Sequence, residues 1–107
     1  EGATCRDYIH IADAIRGLFY IILSDNKEIL YNLSSPNTYT SIRGLAEIFG
    51  EIGKVPVVIN STLNNKQYAP EIHISLNVEK LLRLGWRPIF GLKETVKDLC
   101  DYLNETL

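Results

Sequence analysis

The sequence contains no methionine and only two cysteines among its 107 residues. Cys5 and Cys100 lie far apart, and neither a Cys-x-x-Cys pair nor a close pair of histidines accompanies them. A zinc site and a redox-active disulfide motif are therefore not indicated. Two free thiols in a cytoplasmic protein are the simplest interpretation. Because the chain begins at Glu1 and lacks methionine, we expect it to be a piece of a longer protein.

Long apolar runs and an excess of charge of one sign are also absent. The longest apolar run, from Leu18 to Leu23, is far shorter than the roughly 20 residues of a membrane helix. The net charge of -2 gives no reason to expect a nucleic-acid partner. A hydrophobic fraction of 46% is that of an ordinary globular protein. We therefore expect a single domain over residues 1–107, with no membrane and no nucleic acid among its partners.

The motifs of several enzyme classes are missing as well. Gly50 and Gly53 are the closest glycines, and they stand in a helical pattern and not after a strand, so no dinucleotide-binding turn is present. No tyrosine is followed four residues later by lysine, and no serine nucleophile elbow or His-Glu-x-x-His pattern occurs. The sequence therefore predicts no catalytic residue, no metal site and no cofactor site in this chain.

Four segments have apolar residues at helical spacing. They run from Ile11 to Leu23, from Ser41 to Gly53, from Asn77 to Leu84 and from Gly91 to Leu103. Thr40 or Ser41 and Asn77 are suitable N-caps, while Gly53 and Gly85 are suitable stops. Gly44, inside the second segment, indicates close packing there.

Shorter segments have the composition of strands. Ile29–Leu33 has the β-branched and aromatic content of a short strand, and Val55–Ile59 is rich in β-branched residues. The alternation from Tyr8 to Ile11 predicts an extended piece. Trp86 is the expected anchor of the core. The fold class predicted is a small α/β, α+β-like domain of about four helices with a small sheet of short strands.

Three polar side chains near the start of the chain have both a functional and a structural interpretation. The planar guanidinium of Arg6 is suited to clamping a phosphate or diphosphate, but it can equally form an ion pair with Asp7 or Asp13. His10 and Asp13 can act as an acid/base couple in a shared pocket. They can also be a packed histidine and a helix-start aspartate that satisfies free backbone donors.

Further candidate residues lie in the loops. Ser34, Asn37 and Ser41 have hydroxyl and amide groups that can bind a sugar or nucleotide, and they can equally serve as turn and cap residues. Residues 60–72 form a connection long enough to be a functional loop, in which Tyr68 can stack on a ligand or pin the loop.

The order of four motifs resembles that of a known family. The segments are Arg6-Asp7-Tyr8-Ile9-His10-Ile11-x-Asp13, Tyr31-Asn32-Leu33-Ser34-Ser35, Thr40-Ser41-Ile42-Arg43-Gly44-Leu45-Ala46, and Leu76-Asn77-Val78-Glu79-Lys80-Leu81 with Leu84-Gly85-Trp86-Arg87-Pro88. They are similar to the C-terminal, substrate-binding part of the extended short-chain dehydrogenases, the nucleotide-sugar epimerases and dehydratases. Together the four segments cover nearly all of the chain.

The resemblance implies a division of labour with a missing N-terminal Rossmann domain. In such enzymes that domain carries the glycine-rich NAD or NADP turn and the catalytic Tyr-x-x-x-Lys pair, and a sugar hydroxyl is transiently oxidised before epimerisation or elimination. By resemblance, Arg6 matches the arginine that contacts the diphosphate, and Ser41 matches a polar helix-start position near the nucleotide. With Ser34 and Tyr68 they make up the predicted substrate-binding set. A homodimer is one assembly open to the parent protein.

Three hypotheses follow for the function. The first is the substrate-binding portion of an isomerase or lyase of this family, which would bind a nucleotide-sugar but have no catalysis alone. The second is a non-catalytic interaction module that pairs with another subunit, and an uncovered apolar patch is the feature that bears on this choice. The third is a stand-alone hydrolase that uses His10 and Asp13.

Overall fold

The computed structural model describes residues 2–25, 27, 30–60 and 70–106 of the chain. The described part contains helices α1 (Ile11–Ile22), α2 (Ile42–Gly53), α3 (Glu79–Arg83) and α4 (Leu92–Thr106). Strands β1 (Cys5–Arg6) and β2 (Thr40–Ser41) form an antiparallel pair, and a 3₁₀ helix spans Pro36–Thr38. The prediction of four helices with a small sheet is confirmed.

β1 lies between two other segments of the chain. Cys5 is opposite Ser41 and Arg6 is opposite Thr40 in the antiparallel ladder. On the other side of β1 the Cys5 N–H donates to the Ile72 carbonyl over 2.8 Å, and the Ile74 N–H donates to the Cys5 carbonyl over 3.0 Å. Arg6 is therefore held between β2 and the segment that begins at residue 72. The extended piece was expected from Tyr8, and β1 ends two residues before that position.

The strands predicted at Ile29–Leu33 and Val55–Ile59 are not found in the described residues. Residues 30–33 and 55–59 have no ladder partner there, and Leu30 and Val58 are 75% and 84% exposed. β-propensity reflects how well a side chain packs on neighbouring strands and not a strong backbone preference. Without such neighbours in the described part, the β-branched composition alone does not produce a strand.

A small core forms around Trp86. Trp86 and Leu81 are fully buried, and Val78 and Val96 are nearly so. The Trp86 indole N–H donates to the Asp13 carbonyl over 3.1 Å, which joins the core to α1. A Cβ on Gly17 would lie 3.4 Å from that indole nitrogen and 2.6 Å from Leu33 Cδ1, so glycine allows α1 to approach this closely. The expected role of Trp86 as core anchor is confirmed.

The helix ends agree with the predictions only in part. α3 begins at Glu79 with Val78 as its N-cap, and α4 runs to Thr106, three residues past the predicted end. The Ser41 hydroxyl caps α2 by accepting the Gly44 N–H over 2.9 Å, and Asn77 accepts the Glu79 N–H over 2.9 Å ahead of α3. α2 ends at Gly53, as predicted, but the left-handed residue that ends it is the next one. Gly53 remains helical, and Lys54 takes the left-handed conformation with φ 54°. The helix therefore ends on a residue with a Cβ, which is unfavourable in that conformation.

α1 carries an uncovered apolar face. We call its exposed apolar residues the apolar face of α1. They are Ile11, Ile15, Leu18, Phe19, Ile22 and, just past the helix end, Leu23. A face of this kind is normally packed against another element. None of the helices in the described ranges is both long enough and apolar enough to cross a membrane.

Candidate functional site

Arg6 stands exposed beside a cavity. Arg6, Asp7, Ser34, Ile74 and Leu76 line this space of about 240 Å³, the Arg6 cavity. Within the described residues the Arg6 guanidinium has no hydrogen-bond or ion-pair partner. The alternative of an ion pair with Asp7 or Asp13 is therefore not realised there, and the guanidinium fork is available to an anion.

Asp7 is the most heavily bonded group of the Arg6 cavity. Its Oδ2 accepts from the Ser34 hydroxyl over 3.2 Å and from the Leu76 N–H over 3.0 Å. The Ser75 hydroxyl contacts Oδ1 at 3.1 Å and Oδ2 at 2.9 Å. One carboxylate thus connects β1, the loop after residue 33 and the segment that contains residues 75 and 76.

The loop that contains Ser34 is fixed at its other end as well. The buried Thr38 hydroxyl accepts the Tyr8 N–H over 2.7 Å and lies 2.8 Å from the Ser35 carbonyl. It also contacts the Tyr8 carbonyl. Two separate attachments, one at Ser34 and one at Thr38, therefore hold this loop against the segment that follows Arg6.

The predicted site residues are only partly brought together. Arg6 and Ser34 line the same cavity, whereas Ser41 caps α2 and pairs with β1 without lining that cavity. Asn37 is exposed in the 3₁₀ helix and does not line the cavity. Tyr68 lies outside the described residues, as does the rest of the loop predicted from Asn64 to Tyr68.

His10 is used in packing. Its ring stacks on Phe90 with centroids 3.9 Å apart, and its Nδ1 accepts the Ala12 N–H over 3.0 Å at the start of α1. Because Nδ1 accepts, Nε2 is the nitrogen that carries the proton and donates to Asp98 over 2.9 Å. The imidazole therefore joins the start of α1 to α4.

Asp13 has partners of its own. It is fully buried, and its carboxylate accepts the backbone N–H groups of Ile89 and Phe90 and the Arg16 guanidinium, each at 3.0 Å. Asp13 lies in the first turn of α1 and satisfies backbone donors, as predicted, but those donors belong to the segment after α3 and not to α1. The structure shows no contact between the side chains of His10 and Asp13, and the hydrolase hypothesis loses its acid/base couple.

The electrostatics near the sheet follow from a crowded set of weak acids. Partial desolvation, a hydrogen bond with the Cys5 thiol and the nearby Asp7 carboxylate raise the pKa of the Tyr39 hydroxyl above its usual value. Among the described residues no three potential metal ligands gather at one place.

A second, larger cavity of about 390 Å³ lies beside α1. Arg16, Phe19, Tyr20, Leu23, Ser24 and Leu84 line it. Arg16 is already bonded to the Asp13 carboxylate and to the Arg87 carbonyl, so its charge is engaged in the fold. This cavity offers an apolar contact surface, and the Arg6 cavity is the better candidate for a polar ligand.

Sequence reasoning gives no site role to three residues that line the Arg6 cavity, Asp7, Ile74 and Leu76. It offers Asp7 only as an ion-pair partner for Arg6, and it assigns no role in a site to Ile74 or Leu76. The signal that was available is the acidic residue directly beside the candidate anion clamp. Its bonds to residues 75 and 76 join positions 68 and 69 residues apart, which no local pattern reveals.

Comparison with known proteins gives structural neighbours only. No family model matches the sequence, and no curated protein matches it. RMD from Pseudomonas aeruginosa, solved with NADPH, has a TM-score of 0.85 at 18% identity, and the match covers 100% of this chain and 35% of that one.

Two further structures have similar values. For UDP-glucuronic acid 4-epimerase from Bacillus cereus, solved with UDP-glucuronic acid and NAD, the TM-score is 0.82 at 19% identity, covering 100% of this chain and 34% of that one. For dTDP-glucose 4,6-dehydratase from Bacillus anthracis, solved with NAD, the TM-score is 0.78 at 14% identity, and the match covers 98% of this chain and 33% of that one.

The matches cover nearly all of this chain but only part of each matched chain. This chain spans about a third of the length of the structures it matches. At these identities the likeness concerns the fold, and the fold agrees with the one that the four sequence motifs imply. The chain therefore has the small α/β fold that makes up about a third of these Rossmann-type epimerase and dehydratase chains.

Proposed function

We propose that this chain is the substrate-binding part of an NAD- or NADP-dependent nucleotide-sugar epimerase or dehydratase, with Arg6 as the clamp for the diphosphate. The observation that carries the proposal is an exposed arginine, without a partner in the described part of the chain, at the wall of a cavity of about 240 Å³. A guanidinium offers paired donors that match phosphate oxygens. The fold shared with enzymes solved with UDP-glucuronic acid adds support.

The other predicted residues receive distinct roles in this proposal. The Ser34 hydroxyl donates its proton to Asp7, so its remaining lone pairs can accept from a sugar or ribose hydroxyl. Ser41 acts through the start of α2, which it caps beside β1. Tyr68 stays a prediction, as a side chain that would stack on the base or sugar.

The cofactor and the catalytic pair belong to a separate N-terminal domain in this proposal. The seven glycines of the chain include no dinucleotide-binding turn, so its own residues do not fit NAD or NADP. The hydride transfer would take place outside this chain. Residues of this chain would hold the diphosphate and exclude water from one side of the sugar.

The apolar face of α1 bears on the partner. Ile22 and Leu23 are 71% and 79% exposed, and a surface of this kind marks a place where another element packs. In the leading proposal the missing Rossmann domain covers it. The second candidate function, an interaction module that pairs with another subunit, rests on the same face, and it requires no ligand in the Arg6 cavity.

A titration with UDP separates the two candidates. We expect the chain to bind UDP at low ionic strength, and Arg6→Ala to weaken that binding about tenfold or more, because a charge-assisted pair is lost. Arg6→Lys keeps the charge but not the fork and should give an intermediate affinity. Isothermal titration calorimetry measures all three proteins.

Two results count against the leading proposal. Equal UDP affinity for the Arg6→Ala variant and the unchanged chain would remove the clamp, and tight stoichiometric binding of NAD would place the cofactor site where we predict none. Sequencing the coding region upstream of Glu1 provides an independent test. A glycine-rich strand turn and a Tyr-x-x-x-Lys pair there are the expected result.

A further inference from the structure

We infer that Asp7 is the positioning residue of the Arg6 cavity, which it assembles by holding three separate segments of the chain around the arginine. The inference rests on the proposed function, because the ligand in question is the diphosphate that Arg6 would bind. The charge of Asp7 and its position next to Arg6 do not suggest this role, because a carboxylate close to a bound diphosphate is ordinarily unfavourable.

The bonding of the carboxylate resolves this conflict. An ionised carboxylate has about four lone-pair sites. The Ser34 hydroxyl, the Ser75 hydroxyl and the Leu76 N–H together make four contacts of 2.9 to 3.2 Å with its two oxygens. Three neutral donors thus occupy most of the acceptor capacity of Asp7, chiefly at Oδ2, and none of them is Arg6, which is left available for a ligand.

The same contacts define the shape of the cavity. Asp7 belongs to the segment of β1, Ser34 opens the loop that Thr38 closes, and Leu76 lies at the end of the segment that pairs with Cys5. The carboxylate of Asp7 thus joins its own residue to Ser34 and Leu76, and all three residues line the cavity. Removing it should let the walls on either side of Arg6 move apart.

Asp7→Asn gives a test with opposite signs for the two possible roles. If Asp7 acted only through its charge, its replacement by a neutral amide would strengthen UDP binding. A positioning role predicts weaker binding, because the Asn side chain has one acceptor oxygen and its NH₂ would face donors. We expect UDP affinity to fall about tenfold, the scale of a charge-assisted hydrogen bond. Equal or stronger binding would overturn the inference.

A matched control and a double-mutant cycle separate positioning from general damage to the fold. Asp101→Asn removes one negative charge from α4, which does not line the cavity, and should leave UDP affinity within about twofold. In the Arg6→Ala background the further change Asp7→Asn should have little effect, since Asp7 acts through the arginine. Full additivity of the two losses would contradict the inference.

A ligand-free readout distinguishes failure of this inference from failure of the proposed function. The Leu76 amide donates to Asp7, so its hydrogen exchange should accelerate about tenfold in Asp7→Asn. Unchanged exchange overturns the positioning role, whereas absence of UDP binding in the unchanged chain overturns the proposed function.

If Asp7→Asn does not fold, Ser75→Ala replaces it. This variant should bind UDP about threefold more weakly with faster Leu76 exchange, and no change in either would refute the inference.

Discussion

Asp13 shows how one buried side chain can connect distant parts of a small domain. Its carboxylate has no exposed surface and accepts from two backbone groups, those of Ile89 and Phe90, and from Arg16. Its own carbonyl accepts the Trp86 indole. The segment after α3 is therefore attached to α1 mainly through Asp13, to which Arg16 adds a bond to the Arg87 carbonyl. Asp13 is more important for stability than for chemistry.

Replacement of this carboxylate should be costly. Asp13→Asn keeps the shape but leaves a buried donor without an acceptor, and we expect the free energy of unfolding to fall by about 1–3 kcal/mol. Urea denaturation followed by circular dichroism measures it. Asp101→Asn, at an exposed ion pair with Lys97, should change the same quantity by only about 0.5 kcal/mol. Similar losses in the two variants would contradict the assignment.

Single residues were predictable where their chemistry is local. Trp86 was predicted as the core anchor from its size, which is confirmed. Arg6 was named as a candidate from its type and position, and its role stays a prediction. The distant partners of Asp7 and of Asp13 were not predictable, because those bonds span 27 to 77 residues. Sequence spacing contains no record of such contacts, so a candidate residue could be named while its neighbours could not.

Among the elements, the helices were predictable and the strands were not. A helix satisfies its own backbone groups, so the apolar period and caps such as Ser41 locate α2 within one residue. A strand depends on a partner, and the two short strands formed where Cys5 meets Ser41 and not in the most β-branched segments. The predicted strand Val55–Ile59 is correspondingly exposed.

The end of α2 offers a test at the scale of the element. Lys54 has φ 54° and ψ 43°, a conformation that costs a residue with a Cβ about 1–2 kcal/mol. Lys54→Gly should raise the free energy of unfolding by roughly 1 kcal/mol, measured by urea denaturation. Lys54→Ala loses the same charge but keeps the Cβ, so it should give no gain. Equal stabilisation by both substitutions would show that charge, and not backbone conformation, is the cause.

The whole molecule is more extended than its length requires. Its Cα radius of gyration is 16.5 Å and its extents are 52 × 36 × 20 Å, whereas a compact domain of this length has a radius of about 13 Å. The buried apolar core is correspondingly small. Together with the apolar face of α1, this shape supports the proposal that the chain packs against another domain or subunit.

Self-association is the expected consequence for the isolated chain. Sedimentation velocity should show association that increases with protein concentration, and Ile22→Lys should reduce it because this exposed residue lies on the apolar face of α1. Stability should change by no more than about 0.5 kcal/mol. Asn104→Lys adds the same charge on α4 and should leave association unchanged. An Ile22→Lys variant that associates like the unchanged chain would exclude this face.

The bonds of Asp7 also determine when the Arg6 cavity can exist during synthesis. Ser34 is 27 residues and Leu76 is 69 residues further along the chain than Asp7. Long-range contacts of this kind form after the local helices, because two distant residues can meet only after the entropic cost of closing the chain between them has been overcome. A nascent chain can therefore form α1 and α2 early, but it acquires the Arg6 cavity only after Leu76 has left the ribosome.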